Sequence, residues 1–263
     1  MAENDFSAVF LYRRSNKVTY LVHFTYKNRK DKLAVGSKFT GKIYPNRSAV
    51  SPDGRYFIYF ALGDGRKGYE KNYYTWTAIC EPPKITALYL LAHSDTYSGG
   101  GYFIDDKNIY ISARVYNDFE NTLSPGSLKK FGSYKITFDA KYSNGGWDSP
   151  GSGWIVTGKN KYGFATAWKK ESKHFCILKS VKKNWSKEGE YSMHEYKITC
   201  GKEDLRLEED NITWADIDNY GRLLAASGSR ILIYKDKNAL KKNNFDVVDI
   251  ESYLEPSKVT GKN

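Results

Sequence analysis

One strand–turn–strand phrase returns along this chain at nearly constant spacing. Its clearest form is Ser51-Pro52-Asp53-Gly54-Arg55, which leads into the apolar run Tyr56–Phe60. Proline presets the φ of such a turn, aspartate bonds its own backbone, and glycine takes the position that needs positive φ. The phrase recurs in Tyr102–Ile111 around Asp105, in Trp154–Phe164 around Lys159 and in Trp214–Leu224 around Asn219. Ala8–Phe24, turning at Ser15-Asn16-Lys17, is a looser fifth copy. The turns at Asp53, Asp105, Lys159 and Asn219 are separated by 52, 54 and 60 residues. Other phrases keep time with them. Tyr134-Lys135-Ile136-Thr137 returns as Tyr196-Lys197-Ile198-Thr199, and the pentapeptide Val156–Asn160 is repeated as Val259–Asn263. The pattern predicts a repeated unit of about 50 residues, near the length of a propeller blade.

The segments between turns read as strands. Ala8–Tyr12, Val18–Phe24, Tyr56–Leu62, Tyr73–Cys80, Ala87–His93, Ile109–Val115 and Tyr134–Phe138 are short, apolar or alternating, and rich in aromatic and β-branched residues. So are Trp154–Thr157, Phe164–Trp168, Phe175–Leu178, Glu195–Cys200, Leu223–Ser227 and Ile231–Tyr234. With 22 tyrosines among 263 residues, the chain suits strands that have one wet face. Only Asn238–Asn244 and Asp249–Leu254 offer helical stretches, both short. The expectation is an all-β chain with few or no helices. A four-stranded unit cannot bury both faces alone, so units must stack face to face. Spread over 263 residues, five blades average about 53 residues each. The predicted fold is one five-bladed β-propeller domain over residues 1–263, with repeat turns near 16, 53, 105, 159 and 219.

The Ser51–Arg55 turn resembles the blade turns of TolB-like and WD40-like propellers. A longer stretch, residues 41–104, is similar to a group of small uncharacterised bacterial propeller-like proteins. It carries Gly41-Lys42-Ile43-Tyr44, Arg47, Ser51-Pro52-Asp53-Gly54, Tyr59-Phe60, Trp76-Thr77-Ala78-Ile79, Pro82-Pro83, Thr86-Ala87-Leu88, Asp95 and Gly99-Gly100-Gly101 before Phe103. The resemblance covers about a quarter of the chain. It implies a fold and no reaction.

Most catalytic classes lack their residues. None of His23, His93, His174 and His194 stands in a metal-ligand spacing, and Cys80, Cys176 and Cys200 are too far apart for a CxxC site. No metal or cofactor is expected. Gly36–Lys42 and Gly153–Lys159 match the skeleton of a phosphate loop, but Ile43 or Asn160 follows where Ser or Thr must hold magnesium. There is no GxSxG elbow. Glycoside cleavage needs two facing carboxylates, and Asp53, Asp105, Asp106, Asp216 and Asp218 lie at the ends of predicted strands, in turns that favour Asp for backbone bonding. No uncharged apolar run reaches the roughly 20 residues a bilayer requires. The polar start Met1–Phe6 lacks the pattern of a secretory signal, so a cytoplasmic location is expected.

Charge points to partners. The chain holds 41 Lys and Arg against 30 Asp and Glu, a net +11. Arg13, Arg14, Arg29, Lys30, Lys182 and Lys183 fall in basic clusters near aromatic residues, the composition that attracts phosphates and stacks bases. Trp147 with Asp148, inside the Gly-rich stretch Ser143–Gly153, reads as a docking element for a sugar or peptide. These residues make up the candidate binding set. The leading expectation is a non-enzymatic interaction module that binds a protein in a larger assembly. Nucleic-acid or other polyanion binding is the first alternative, and a glycan-binding or glycan-cleaving propeller the second.

Overall fold

The computed structural model describes residues 1–15, 17–63, 74–93, 95, 96, 98–113, 129–138, 153–161, 165–183, 193–201, 203–205, 207 and 211–254. Within them the strands form five sheets that follow one another along the chain. The first contains β1 (Ser7–Ser15), β2 (Val18–Thr25) and β3 (Lys32–Thr40). The second holds β4 (Lys42–Val50), β5 (Phe57–Leu62), β6 (Thr75–Cys80) and β7 (Tyr89–His93). The third is built from β8 (Gly101–Phe103), β9 (Asn108–Ile111), β10 (Lys130–Phe131) and β11 (Tyr134–Phe138). The fourth comprises β12 (Ile155–Lys159), β13 (Ala165–Glu171), β14 (Cys176–Lys183), β15 (Met193–Cys200) and β16 (Glu203–Leu205). The fifth has β17 (Ile212–Ile217), β18 (Leu223–Ser227), β19 (Arg230–Tyr234) and β20 (Asp246–Asp249). Two short helices, α1 (Lys237–Lys241) and α2 (Glu251–Leu254), accompany it.

The fold class is all-β. Neighbouring strands pair antiparallel except β9 and β11, which run parallel with Ile109 opposite Ile136. The first sheet passes to the second through Gly41 alone, and apolar side chains pack between several of the sheets. Leu21 of the first sheet packs with Ile43, Phe57, Tyr59 and Ala78 of the second. Ile58 and Ile79 of the second meet Phe103, Ile109 and Ile136 of the third. Phe175, Ile177 and Ile198 of the fourth meet Ala215, Leu223 and Leu232 of the fifth. The fifth also reaches the first, since Val22, Phe24 and Tyr26 pack with Leu224, Ile231 and Ile233. Each such side chain contributes about 1.5–3 kcal/mol on burial, so these faces hold the sheets together.

The sheets share one common end. There the turn after β4 meets the lead-in to β1, with the Asn4 N–H donating to the Pro52 carbonyl at 2.8 Å. The turn after β17 joins them through Asn219, whose side-chain amide donates to the carbonyls of Glu3 at 3.2 Å and Asp5 at 2.8 Å. In the fourth sheet this end is occupied by the turn after β13, where the Ser172 hydroxyl donates to the Gly221 carbonyl at 3.4 Å. Arg13, late in β1, donates to the Ile43 carbonyl at the start of β4 at 3.4 Å. β1 therefore runs opposite to β4, and the β1–β2 and β12–β13 hairpins close at the other end.

Candidate functional site

Three of the sheets meet around a cleft of about 430 Å³ at this common end. Asn4 and Asp5 enter it from the lead-in to β1, Asp53, Arg55 and Tyr56 from the β4–β5 turn, Asp106 from the β8–β9 turn, and Phe131–Tyr134 from the β10–β11 hairpin. Local chemistry fixes each part. Ser51 and Asp53 form a closed turn: the Ser51 hydroxyl donates to Asp53 Oδ1 at 2.5 Å and accepts from the Tyr56 N–H at 2.8 Å. Gly54 sits at φ +72°, and a Cβ there would stand 2.2 Å from Ser7 Oγ and 2.8 Å from Asp5 Oδ2. Only glycine lets the two sheets come this close.

The wall is aromatic. Tyr56 meets Phe131 edge to face at 5.0 Å and Tyr134 at 6.0 Å, and Phe131 lies nearly parallel to Tyr134 at 6.3 Å. Tyr134 is only 6% exposed, and it lines the cleft. Burial, with the charges of Asp53 and Asp106 nearby, pushes its pKa up to about 12. Arg55 is the cleft's own cation, but its Nε donates to Glu81 at 3.0 Å and its guanidinium lies over the Tyr56 ring. Asp5 and Asp106 form no ion pair or hydrogen bond through their carboxylates within the described residues. Among the described residues the lining includes no histidine, cysteine or lysine. The arrangement can bind a cation or a hydroxyl-bearing ligand; among the described residues it has no nucleophile–base pair.

The other turn acids are committed elsewhere. Asp105 accepts from the Asn108 side chain at 2.9 Å and from the backbone N–H groups of Lys107 and Asn108. Asp216 binds Lys170 Nζ at 2.7 Å, both largely buried. Asp218 holds Arg222 Nε at 2.6 Å, and the same guanidinium reaches Asp31 with two bonds of 3.0 and 2.9 Å. At the far end of the second sheet, Arg47 donates to the Thr96 carbonyl at 2.8 Å and lies over the Phe60 ring. Beside it His93 Nε2 and Thr77 Oγ1 are 2.8 Å apart, and the Thr77 hydroxyl also accepts from the Gly100 N–H at 2.7 Å. These groups make bonds that hold elements together.

The basic residues singled out from the sequence lie on two sheets and, within the first, at opposite ends. Arg13 and Arg14 lie late in β1, where Arg14 Nε is 4.0 Å from Glu251 of α2. Arg29 and Lys30 are exposed at the opposite end of the same sheet, in the turn between β2 and β3, and the Arg29 guanidinium stands over Tyr220. Lys182 and Lys183 fall at the end of β14 in the fourth sheet. Trp147 and Asp148 lie outside the described residues. Sequence reasoning reached Asp53 and Asp106 as turn acids but passed over Asp5, Tyr56, Phe131 and Tyr134, which only the packing of three sheets brings together.

Among the described residues no group of three or more His, Cys, Asp or Glu side chains is placed to hold a metal ion, and no helix is long and apolar enough to cross a membrane. Neither a protein-family model nor a curated protein matches this chain, so what it does has to be argued from the cleft and its surroundings.

Proposed function

We infer that the chain is a five-bladed β-propeller that works as a non-enzymatic docking module for a protein partner. The observation that carries this reading is the order of the cores. Apolar faces join the first sheet to the second, the second to the third and the fourth to the fifth, and the fifth packs back on the first. Such an order supports five units arranged about an axis, a scaffold whose turns are left for recognition. The cleft where three units meet supplies aromatic surface and carboxylates, without a catalytic pair among the described residues. Resemblance of residues 41–104 to propeller-like proteins points the same way.

The test is affinity purification of the intact protein from its native host, followed by reconstitution with the purified partner. A stable stoichiometric complex is the expected result. Failure to recover any partner, together with turnover of a small substrate by the purified chain, overturns the reading. A glycan ligand is the second reading, favoured by the rings of Tyr56, Phe131 and Tyr134 beside three carboxylates; a glycan array read with wild type and Tyr56→Ala separates the two.

A further inference from the structure

Charge is distributed unevenly between the two ends of the sheets. At the cleft end bases and acids pair off: Arg55 with Glu81, Lys170 with Asp216, and Arg222 with Asp31 and Asp218. The opposite end of the first sheet is different. Arg13 and Arg14 lie at the close of β1, Lys17 precedes β2, Lys38 is near the end of β3, and Lys42 begins β4.

Pairing brings these five together. Tyr12 stands opposite Tyr20 and Tyr20 opposite Lys38, which sets Lys38 level with Tyr12, two residues before Arg14. The Gly41 N–H donates to the Lys17 carbonyl at 3.0 Å, so the start of β4 is seated against the hairpin tip. The Arg13 guanidinium donates to the Ile43 carbonyl at 3.4 Å, and Lys42 Nζ lies 4.8 Å from the Tyr44 ring centre. Arg14, Lys17 and Lys38 are exposed. Two acids stand beside them. Glu251 of α2 accepts the Tyr12 hydroxyl at 2.6 Å and is 4.0 Å from Arg14 Nε, and Asp249 is paired across strands with Arg230. Five cations against two carboxylates leave this end positive. A chain with 41 bases and 30 acids thus carries part of its surplus as one patch.

The patch crosses three adjacent strands of the first sheet, two gaps of about 4.8 Å each, a width that one nucleic-acid strand covers. Cations gathered in this way bind phosphates by releasing condensed counterions, and the half-buried rings of Tyr12 and Tyr20 among them add aromatic surface for bases. Three of the five are lysines, a residue depleted at protein–protein interfaces, so the composition favours a nucleic acid over an acidic protein surface.

We propose that the end of the first sheet opposite the cleft binds the phosphate backbone of a single-stranded nucleic acid, neutralised by Arg13, Arg14, Lys17, Lys38 and Lys42. This goes beyond the docking-module reading and does not rest on it, because the cleft and the patch lie at opposite ends of the sheets.

The test is fluorescence anisotropy of a labelled dodecathymidylate titrated with the intact protein at several salt concentrations. A strand that neutralises four of these charges is expected to give log K falling against log salt with a slope of about −3. Lys17→Gln/Lys38→Gln removes two exposed charges; it is expected to bring the slope to about −1.5 and to weaken binding at low salt about tenfold. Lys17→Arg/Lys38→Arg keeps the charge and should bind as wild type does. Lys27→Gln/Lys30→Gln, at two exposed lysines of the cleft end, should leave affinity and slope unchanged. Melting temperatures equal to that of wild type establish that the variants are folded. No binding at low salt, an affinity indifferent to salt, an equal loss in Lys27→Gln/Lys30→Gln, or octaglutamate bound as tightly as the oligonucleotide overturns the proposal.

Discussion

His93 is buried in the second sheet, 4% exposed, with Thr77 on its ring nitrogen. Burial holds its pKa down at about 4 from an ordinary 6.5; Asp95 nearby acts against the shift and Arg47 with it. The folded value lies below the unfolded one, so the unfolded chain takes up the proton first. The stabilisation is therefore complete above about pH 6.5 and is lost as pH falls toward 4, up to roughly 3 kcal/mol for a shift of this size. Thermal melts of wild type and His93→Gln between pH 7.5 and 4.5 measure it. Wild type is expected to lose stability faster than the variant across that window, and parallel curves would remove His93 as the cause. The glycines opposite it are equally constrained. Gly100 sits at φ +85°, and a Cβ there would come within 2.7 Å of both Cβ and the carbonyl oxygen of Arg47. Gly100→Ala is expected to lower stability by about 1–3 kcal/mol, measured as a lower denaturation midpoint with unchanged slope.

At the scale of elements, one ion network ties sheets distant in sequence. Arg222, after the β17–β18 turn, joins Asp218 in its own turn to Asp31 at the start of β3. Removing one partner of a buried set leaves the others charged and unpaired, so Arg222→Met is expected to cost about 3–5 kcal/mol. Asp31→Asn keeps a hydrogen-bonding shape and should cost less; denaturant unfolding of the two variants gives the ranking, and an equal loss would contradict it. The element map also shows what the sequence could disclose. Tyr134–Phe138 and Leu223–Ser227 are strands with the predicted limits, because β-branched and apolar residues alternate there between clear turn residues. β4 was hidden by Pro45 and Asn46, which read as a turn; its pairing with β5 shifts register between Tyr44 and Ala49, and the proline sits in that irregularity. β8 begins inside a glycine run that reads as loop. β20 covers Asp246–Asp249, whose last residue opened a predicted helix, and only Glu251–Leu254 is helical. Two of the repeated turns, near 16 and 159, close hairpins that point away from those at 53, 105 and 219. A motif fixes a turn and leaves its direction to tertiary packing. The candidate site is legible to the same degree: the turn acids Asp53 and Asp106 stand out in sequence, whereas Asp5 and Tyr134 become neighbours only through packing.

For the whole molecule, the contact between the fifth sheet and the first decides how stability is shared. Leu224, Ile231 and Ile233 are fully buried against Val22 and Phe24, some 200 residues earlier in the chain. Were the sheets independent, a cavity in the fifth would leave the first untouched. Packed as they are, neither apolar face can be exposed without exposing the other, and the two sheets should open together. Leu224→Ala tests this, since deleting a fully buried leucine side chain costs about 2–5 kcal/mol. Native-state hydrogen exchange then compares the amides of Leu21–Phe24 in β2 with those of Ile231–Ile233 in β19. In wild type the two sets are expected to share one opening free energy, and in Leu224→Ala both should fall by the same amount. A loss confined to β19, with β2 protected as before, would show that the sheets unfold separately and would count against a ring of five mutually supporting units. A common loss would mean that each strand's stability depends on partners at both ends of the chain, the condition under which turns from three sheets can hold one cleft in fixed shape.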